Sequence, residues 1–214
     1  MIDLSCQPSL AIGALTEDQG FVIDEEELVE SWLRSTRRLL QAETAAGVKH
    51  HVSLSVAGVG RAVNMGVFRA LQAQESLIQQ SAMSYSILRS TQTFESAEDI
   101  AAASTEDWIV WVPPVEVRPV ALTDVAMLLA HTAVSRPRTG VREIAGPEKI
   151  RLDIFVRAAL RGNVEYRRVF TDIHSPFFGT RLRPSDLLPG ADAFIAQTSY
   201  REWLAGRPSP EITS

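Results

Sequence analysis

Cysteine is almost absent: Cys6 is the only one in 214 residues, which excludes an internal disulfide and a cysteine-cluster metal centre. No apolar run approaches the ~18–20 residues needed to cross a bilayer. The start MIDLSCQPSL has neither a basic n-region nor a long apolar h-region, so no secretion signal is expected. Together these absences predict a cytoplasmic protein with no membrane contact. Positive charge is also scarce. Twenty-one Lys and Arg stand against 26 Asp and Glu, for a net charge of −5. The basic residues are scattered apart from pairs such as Arg37-Arg38 and Arg167-Arg168, which leaves no electrostatic footprint for nucleic acid. The four histidines show no H-x-x-x-H spacing, and the adjacent His50 and His51 point to opposite sides of a strand. No metal is expected.

A Gly-rich phosphate-binding turn is missing as well. AGVGRA (57–62) is the nearest approach, but it lacks the third Gly of a dinucleotide fingerprint and reads as a surface turn. No Walker-type run occurs.

What is present is the composition of a globular domain, 45% hydrophobic and 22% charged, in a chain long enough for one core. HVSLSVAG (51–58) alternates Val52, Leu54 and Val56 on one face and ends at Gly; YSILR (85–89) and REIAG (142–146) are equally short and turn-bounded. These read as strands. Asp24 with Glu27 forms a capping box for a helix running to about Gly47, with Leu28, Trp32 and Leu39 or Leu40 on its apolar side. Further helices are expected at about 64–82, from a cap at Thr123, and over RLDIFVRAALRG to Gly162. Strands separated by such helices predict an α/β fold with a mostly parallel sheet. Residues 6–20 read as a surface loop and 207–214 as a disordered tail.

The segments LLQAETAAGVKHHVSLSVAGVG, FRALQAQESLI, YSILRSTQTFES, VRPVALTDVA and EIAGPEKIRLDIFV together resemble the NmrA-like, atypical short-chain dehydrogenase/reductase group, over roughly residues 28–205. The resemblance implies a Rossmann-type NAD(P)-binding domain over 1–206, with a small C-terminal substrate region at about 142–206. IDLSCQPS resembles the end of that family's fourth strand, so the domain is expected to be a partial one that lacks the Gly-rich part. A strand at Ile2–Leu4 would then be an open sheet edge, which predicts a homo-oligomer or a partner chain covering it.

The resemblance also assigns residues. The family's catalytic Tyr and Lys, four apart on one helix face, fall on Val67 and Leu71 of GVFRALQAQE, where neither side chain transfers a proton. With Ile78 they read as a packing stripe that Gln74 interrupts. Ser55 matches the spacing of the third catalytic residue. Ser5, Thr91, Gln92 and Phe94 fall where the cofactor is held, and Glu95, Phe177 and Phe178 are candidates for the substrate pocket. Arg89 reads as a structural partner of Glu95 or Asp124, and Trp32, Trp108, Trp111 and Trp203 as core or partner-facing bulk. Three functions stay open: an NAD(P)-dependent oxidoreductase with a degenerate catalytic pair, a non-catalytic small-molecule-binding or regulatory protein, and a shortened gene remnant.

Overall fold

The computed structural model describes residues 2–3, 25–61, 66–162 and 167–206. The expected helix cap at Asp24, the loop at 6–20 and the tail at 207–214 lie outside them, as does Ser5.

The main sheet has five strands in the order β1 (Ile2–Asp3), β2 (His51–Val56), β3 (Tyr85–Ser90), β7 (Gly140–Ala145), β10 (Phe194–Ile195). Every neighbouring pair is parallel. β2 is buried along its whole length, as a parallel strand covered on both faces must be. The period-of-two reading of all three expected strands holds to within two residues at each end.

Two helices, α1 (Glu25–Ala45) and α2 (Gly66–Gln79), lie on one face of the sheet. They reach it through polar contacts, His51 Nδ1 to Glu43 Oε2 at 2.9 Å and Ser55 to Glu75, and they join each other where Gln74 donates to Thr36 Oγ1. Leu28 and Leu40 form the buried side of α1. On the other face Val52, Leu54, Leu88 and Ile144 pack against Val125 and Leu129 of α4 (Leu122–Val134). Thr123 is not its cap. Ala121 occupies that position without a capping side chain, and the Leu122 amide donates instead to the distant Glu95 carboxylate at 3.2 Å.

Between β3 and α4 come α3 (Ser96–Ala103), β4 (Thr105–Glu106), β5 (Ile109–Val112) and β6 (Glu116–Val117). Beyond β7 the chain adds β8 (Ile150–Arg151), α5 (Leu152–Gly162), β9 (Arg168–Thr171) and α6 (Tyr200–Ala205). These build two small sheets, β4-β5-β9 and β6-β8. Segment 142–206 thus contributes to the main sheet through β7 and β10 as well as to the smaller ones. A second apolar cluster joins α2, α3, β5, α5 and Tyr200. Among the described residues no helix is long and apolar enough to cross a membrane.

Candidate functional site

A pocket of about 120 Å³ opens at the carboxyl ends of β2 and β3, the place where open parallel sheets bind ligands. Leu54 and Val56 reach it from β2, Val67, Phe68 and Leu71 from α2, and Leu122 from the start of α4. Its polar lining is the continuous stretch following β3, with Thr91, Gln92 and Glu95, extended by Asp99 one turn further on. Phe177 and Phe178 close the opposite wall.

The stretch is held from outside. Thr91 N donates to Ile144 O, Val120 N to Gln92 O and Phe94 N to Val120 O, at 2.9–3.0 Å. Thr91 Oγ1 donates to Arg118 O at 2.6 Å, so its hydroxyl is engaged with the backbone. Gln92 differs: only 7% of it is exposed, and its buried Oε1 has no hydrogen-bond partner. The Asp99 carboxyl is raised above its ordinary range, first by burial and then by the neighbouring Glu98.

GVFRALQAQE forms the first turns of α2, and its opening Gly66 explains how the walls meet. Its φ is +63°, and a Cβ there would come within 2.7 Å of Phe178 O. Only glycine allows both that backbone and that approach. Phe178, itself at φ +46°, and Gly179 form the two-residue turn that bridges Phe177 to Thr180. Val67 and Leu71 stand in the pocket wall as apolar, buried side chains.

Two expected site residues are placed elsewhere. Ser55 lies between Leu54 and Val56, and alternation turns it to the opposite face of the sheet. There its hydroxyl donates to Glu75 Oε1 at 2.5 Å. Phe94 points away from the pocket into an aromatic cluster with Tyr200 and Trp203, at ring separations of 5.0 and 5.5 Å. The pocket does contain Thr91, Gln92, Glu95, Phe177 and Phe178. Asp99 and Phe68 were missed, although Asp99 follows Glu95 by the four residues that align side chains on one helical face.

Arg89 pairs with neither Glu95 nor Asp124. Its guanidinium makes a two-bond contact with Glu75, at 2.9 and 2.5 Å, and lies 3.9 Å from Glu143. The hydrogen bond to Glu75 is the main reason that its pKa is raised. Ser55, Glu75, Arg89 and Glu143 therefore form a polar brace between α2 and the sheet.

Among the described residues no group of three His, Cys, Asp or Glu side chains is placed to hold a metal. For a dinucleotide, Gln92 offers a buried acceptor without a partner, but the AGVG turn after β2 has two glycines and lacks the third of a dinucleotide fingerprint. A Cβ on Gly58, in the AGVG turn after β2, would sit 2.7 Å from Asp186 O. That glycine serves a close backbone approach, while Gly60 of the same turn, at φ +93°, faces open space. Among the described residues no three-glycine turn of the dinucleotide type occurs.

No family model and no curated protein matches the chain. Solved structures do. The RMD protein from Pseudomonas aeruginosa, complexed with NADPH, superposes with a TM-score of 0.60 at 14% identity, over 95% of this chain and 77% of its own. MoeE5, in complex with UDP-glucuronic acid and NAD, gives 0.55 at 19% identity, over 79% and 67%. The UDP-glucose 4-epimerase of Thermus thermophilus, in complex with NAD, gives 0.56 at 16% identity, over 87% and 70%. The fold is Rossmann-like. At these identities the likeness is one of architecture, and the Rossmann-like frame places the pocket at the strand ends.

Proposed function

We propose that this chain is an NmrA-like short-chain dehydrogenase/reductase-type protein, NAD(P)-linked by resemblance, whose pocket binds a small molecule without the Tyr-Lys proton relay. The carrying observation is the pair Val67 and Leu71, both buried in the pocket wall where the resemblance places the phenol and the ammonium. An apolar wall supports binding through contact area. It supplies none of the ~10²–10⁴-fold that a positioned acid or base contributes. The neighbours crystallised with NAD or NADPH support the oxidoreductase-like frame. The unpartnered Gln92 acceptor supports a ligand beside it.

The test is NAD(P)H consumption by the full chain with a panel of aldehydes, ketones and quinones, alongside titration of the oxidised and reduced cofactors. Aldehydes and ketones are expected to give no turnover, because the alkoxide formed on hydride addition has no relay to protonate it. Quinones draw their protons from solvent, and their reduction is compatible with the reading. Robust carbonyl turnover that disappears in Asp99→Asn would assign the proton to Asp99 and end it.

A further inference from the structure

The ligand class can be read from the pocket's polar lining; the inference rests on the proposed reading of the pocket as a ligand site. Besides its apolar walls the pocket offers hydroxyls, the Gln92 amide and the carboxyl groups of Glu95 and Asp99. Among the described lining residues there is no Lys, Arg or His. Among the described lining residues a carboxylate or phosphate entering the pocket would meet carboxylates and no cation.

Gln92 is an independent observation. Its Oε1 is buried without a partner in a side chain only 7% exposed, and a buried acceptor left unpaired is costly. It requires a donor. Glu95 commits one oxygen to the Leu122 amide, and Asp99 stands one helical turn beyond it. A cation at the pair would offset the burial that raises the Asp99 carboxyl. The volume, about 120 Å³, is near that of a cavity known to take benzene, ~150 Å³, so one six-membered ring fills it.

We propose that the pocket binds a single-ring ligand carrying a cationic nitrogen, of the protonated aralkylamine or amidine class. The ring rests against Val67, Leu71 and Phe177, the nitrogen pairs with Glu95 and Asp99, and an N–H donates to Gln92. Amidines and ammonium groups bring donors only, matching a lining rich in acceptors.

Three ring-matched probes, benzamidine, benzyl alcohol and benzoate, titrated into the full chain by calorimetry or ligand-observed NMR, test this. Benzamidine is expected to bind ~10-fold or more tighter than benzyl alcohol, with benzoate weakest, as a charge pair in partly desolvated surroundings predicts. Combined Glu95→Gln and Asp99→Asn should remove that ~10-fold advantage, the Gln retaining an acceptor for Leu122. If the double variant does not fold, the ranking of the probes on the unmodified protein decides. Benzoate or benzyl alcohol binding as tightly as benzamidine overturns the cationic class and leaves the pocket a ligand site. Failure of all three to bind overturns both the class and the proposed function's pocket.

Discussion

Glu75 receives hydrogen bonds from Ser55 and Arg89 at a position 4% exposed. Removing Glu75 takes two charge-assisted hydrogen bonds from a partly exposed Arg89 that keeps Glu143 at 3.9 Å, at a cost of ~2–3 kcal/mol. Glu75→Ala should therefore lower the unfolding free energy in urea by that much, whereas Ser55→Ala, which removes one hydrogen bond, should cost about 1 kcal/mol. Ser55→Ala should also leave ligand affinity unchanged, since the hydroxyl faces away from the pocket; a loss of binding with stability intact would restore Ser55 as a site residue. Leu71 is 1% exposed. Rebuilding the relay with Val67→Tyr and Leu71→Lys would bury an ammonium beside apolar neighbours, so this double variant should unfold at lower urea than Val67→Tyr alone. At Ser199 the capping box holds the Glu202 carboxyl below its ordinary range, chiefly through the Ser199 backbone amide and then its hydroxyl. A depressed carboxylate stabilises above its unfolded-state pKa and loses that contribution as pH falls through the folded one. Acid should therefore weaken the cap of α6, and Glu202→Gln should abolish that pH dependence when helix protection is followed by amide exchange.

At the scale of elements, the β4–β5 hairpin places two adjacent non-glycine residues at positive φ. Glu106 pairs with Ile109, leaving Asp107 and Trp108 as a two-residue turn at φ +46° and +66°. Such turns favour Asn-Gly. A tryptophan there meets the left-handed penalty of ~1–2 kcal/mol, and at 82% exposure it gains little burial in return. Trp108→Gly is expected to stabilise the protein by about 1 kcal/mol in thermal or urea unfolding. The start of α2 gives the opposite sign. Gly66→Ala combines the positive φ with a 2.7 Å approach to Phe178 O, so it should destabilise by ~1–2 kcal/mol or more and disturb the Phe177–Phe178 wall.

At the scale of the whole molecule, β1 pairs with β2 on one side and with no other described strand on the other. The small sheet adds exposed apolar surface at Trp108 and Phe170, with Ile173 just beyond. An open edge and an apolar face are association surfaces. Size-exclusion chromatography with light scattering is accordingly expected to show a dimer or larger species. A compact, cooperatively unfolding monomer would show that the edge is protected within one chain. The lack of a three-glycine phosphate turn among the described residues sets the expected cofactor affinity: a dissociation constant of ~1 mM or weaker, about −4 kcal/mol. Micromolar binding in calorimetry would mean that the chain forms a cradle with residues other than those described.

What the sequence determined by itself is what local periodicity encodes. Alternation in HVSLSV and YSILR placed β2 and β3, and apolar spacing placed α1, α2 and α5, with glycine stops for α1 and α5, because strand and helix periods are written in adjacent residues. The stretch Thr91–Glu95 came to notice through the family resemblance and not through periodicity, and of it Thr91, Gln92 and Glu95 line the pocket at the strand ends while Phe94 turns away. Tertiary structure alone decided which side of each element mattered. The alternation of β2 already separated Ser55 from Leu54 and Val56, yet only the packing of α2 and α4 around the strand ends showed that Leu54 and Val56 line the pocket while Ser55 bonds Glu75. Phe94 turns inward because Tyr200 and Trp203, more than 100 positions later, pack beside it with tilted rings. Arg89 finds Glu75 and Glu143 through strand register and helix packing. Strands as short as β4, β6 and β8, two residues each, contain too little alternation to be read locally. They exist because distant partners supply their hydrogen bonds, and those long-range pairings have no local signature in the chain.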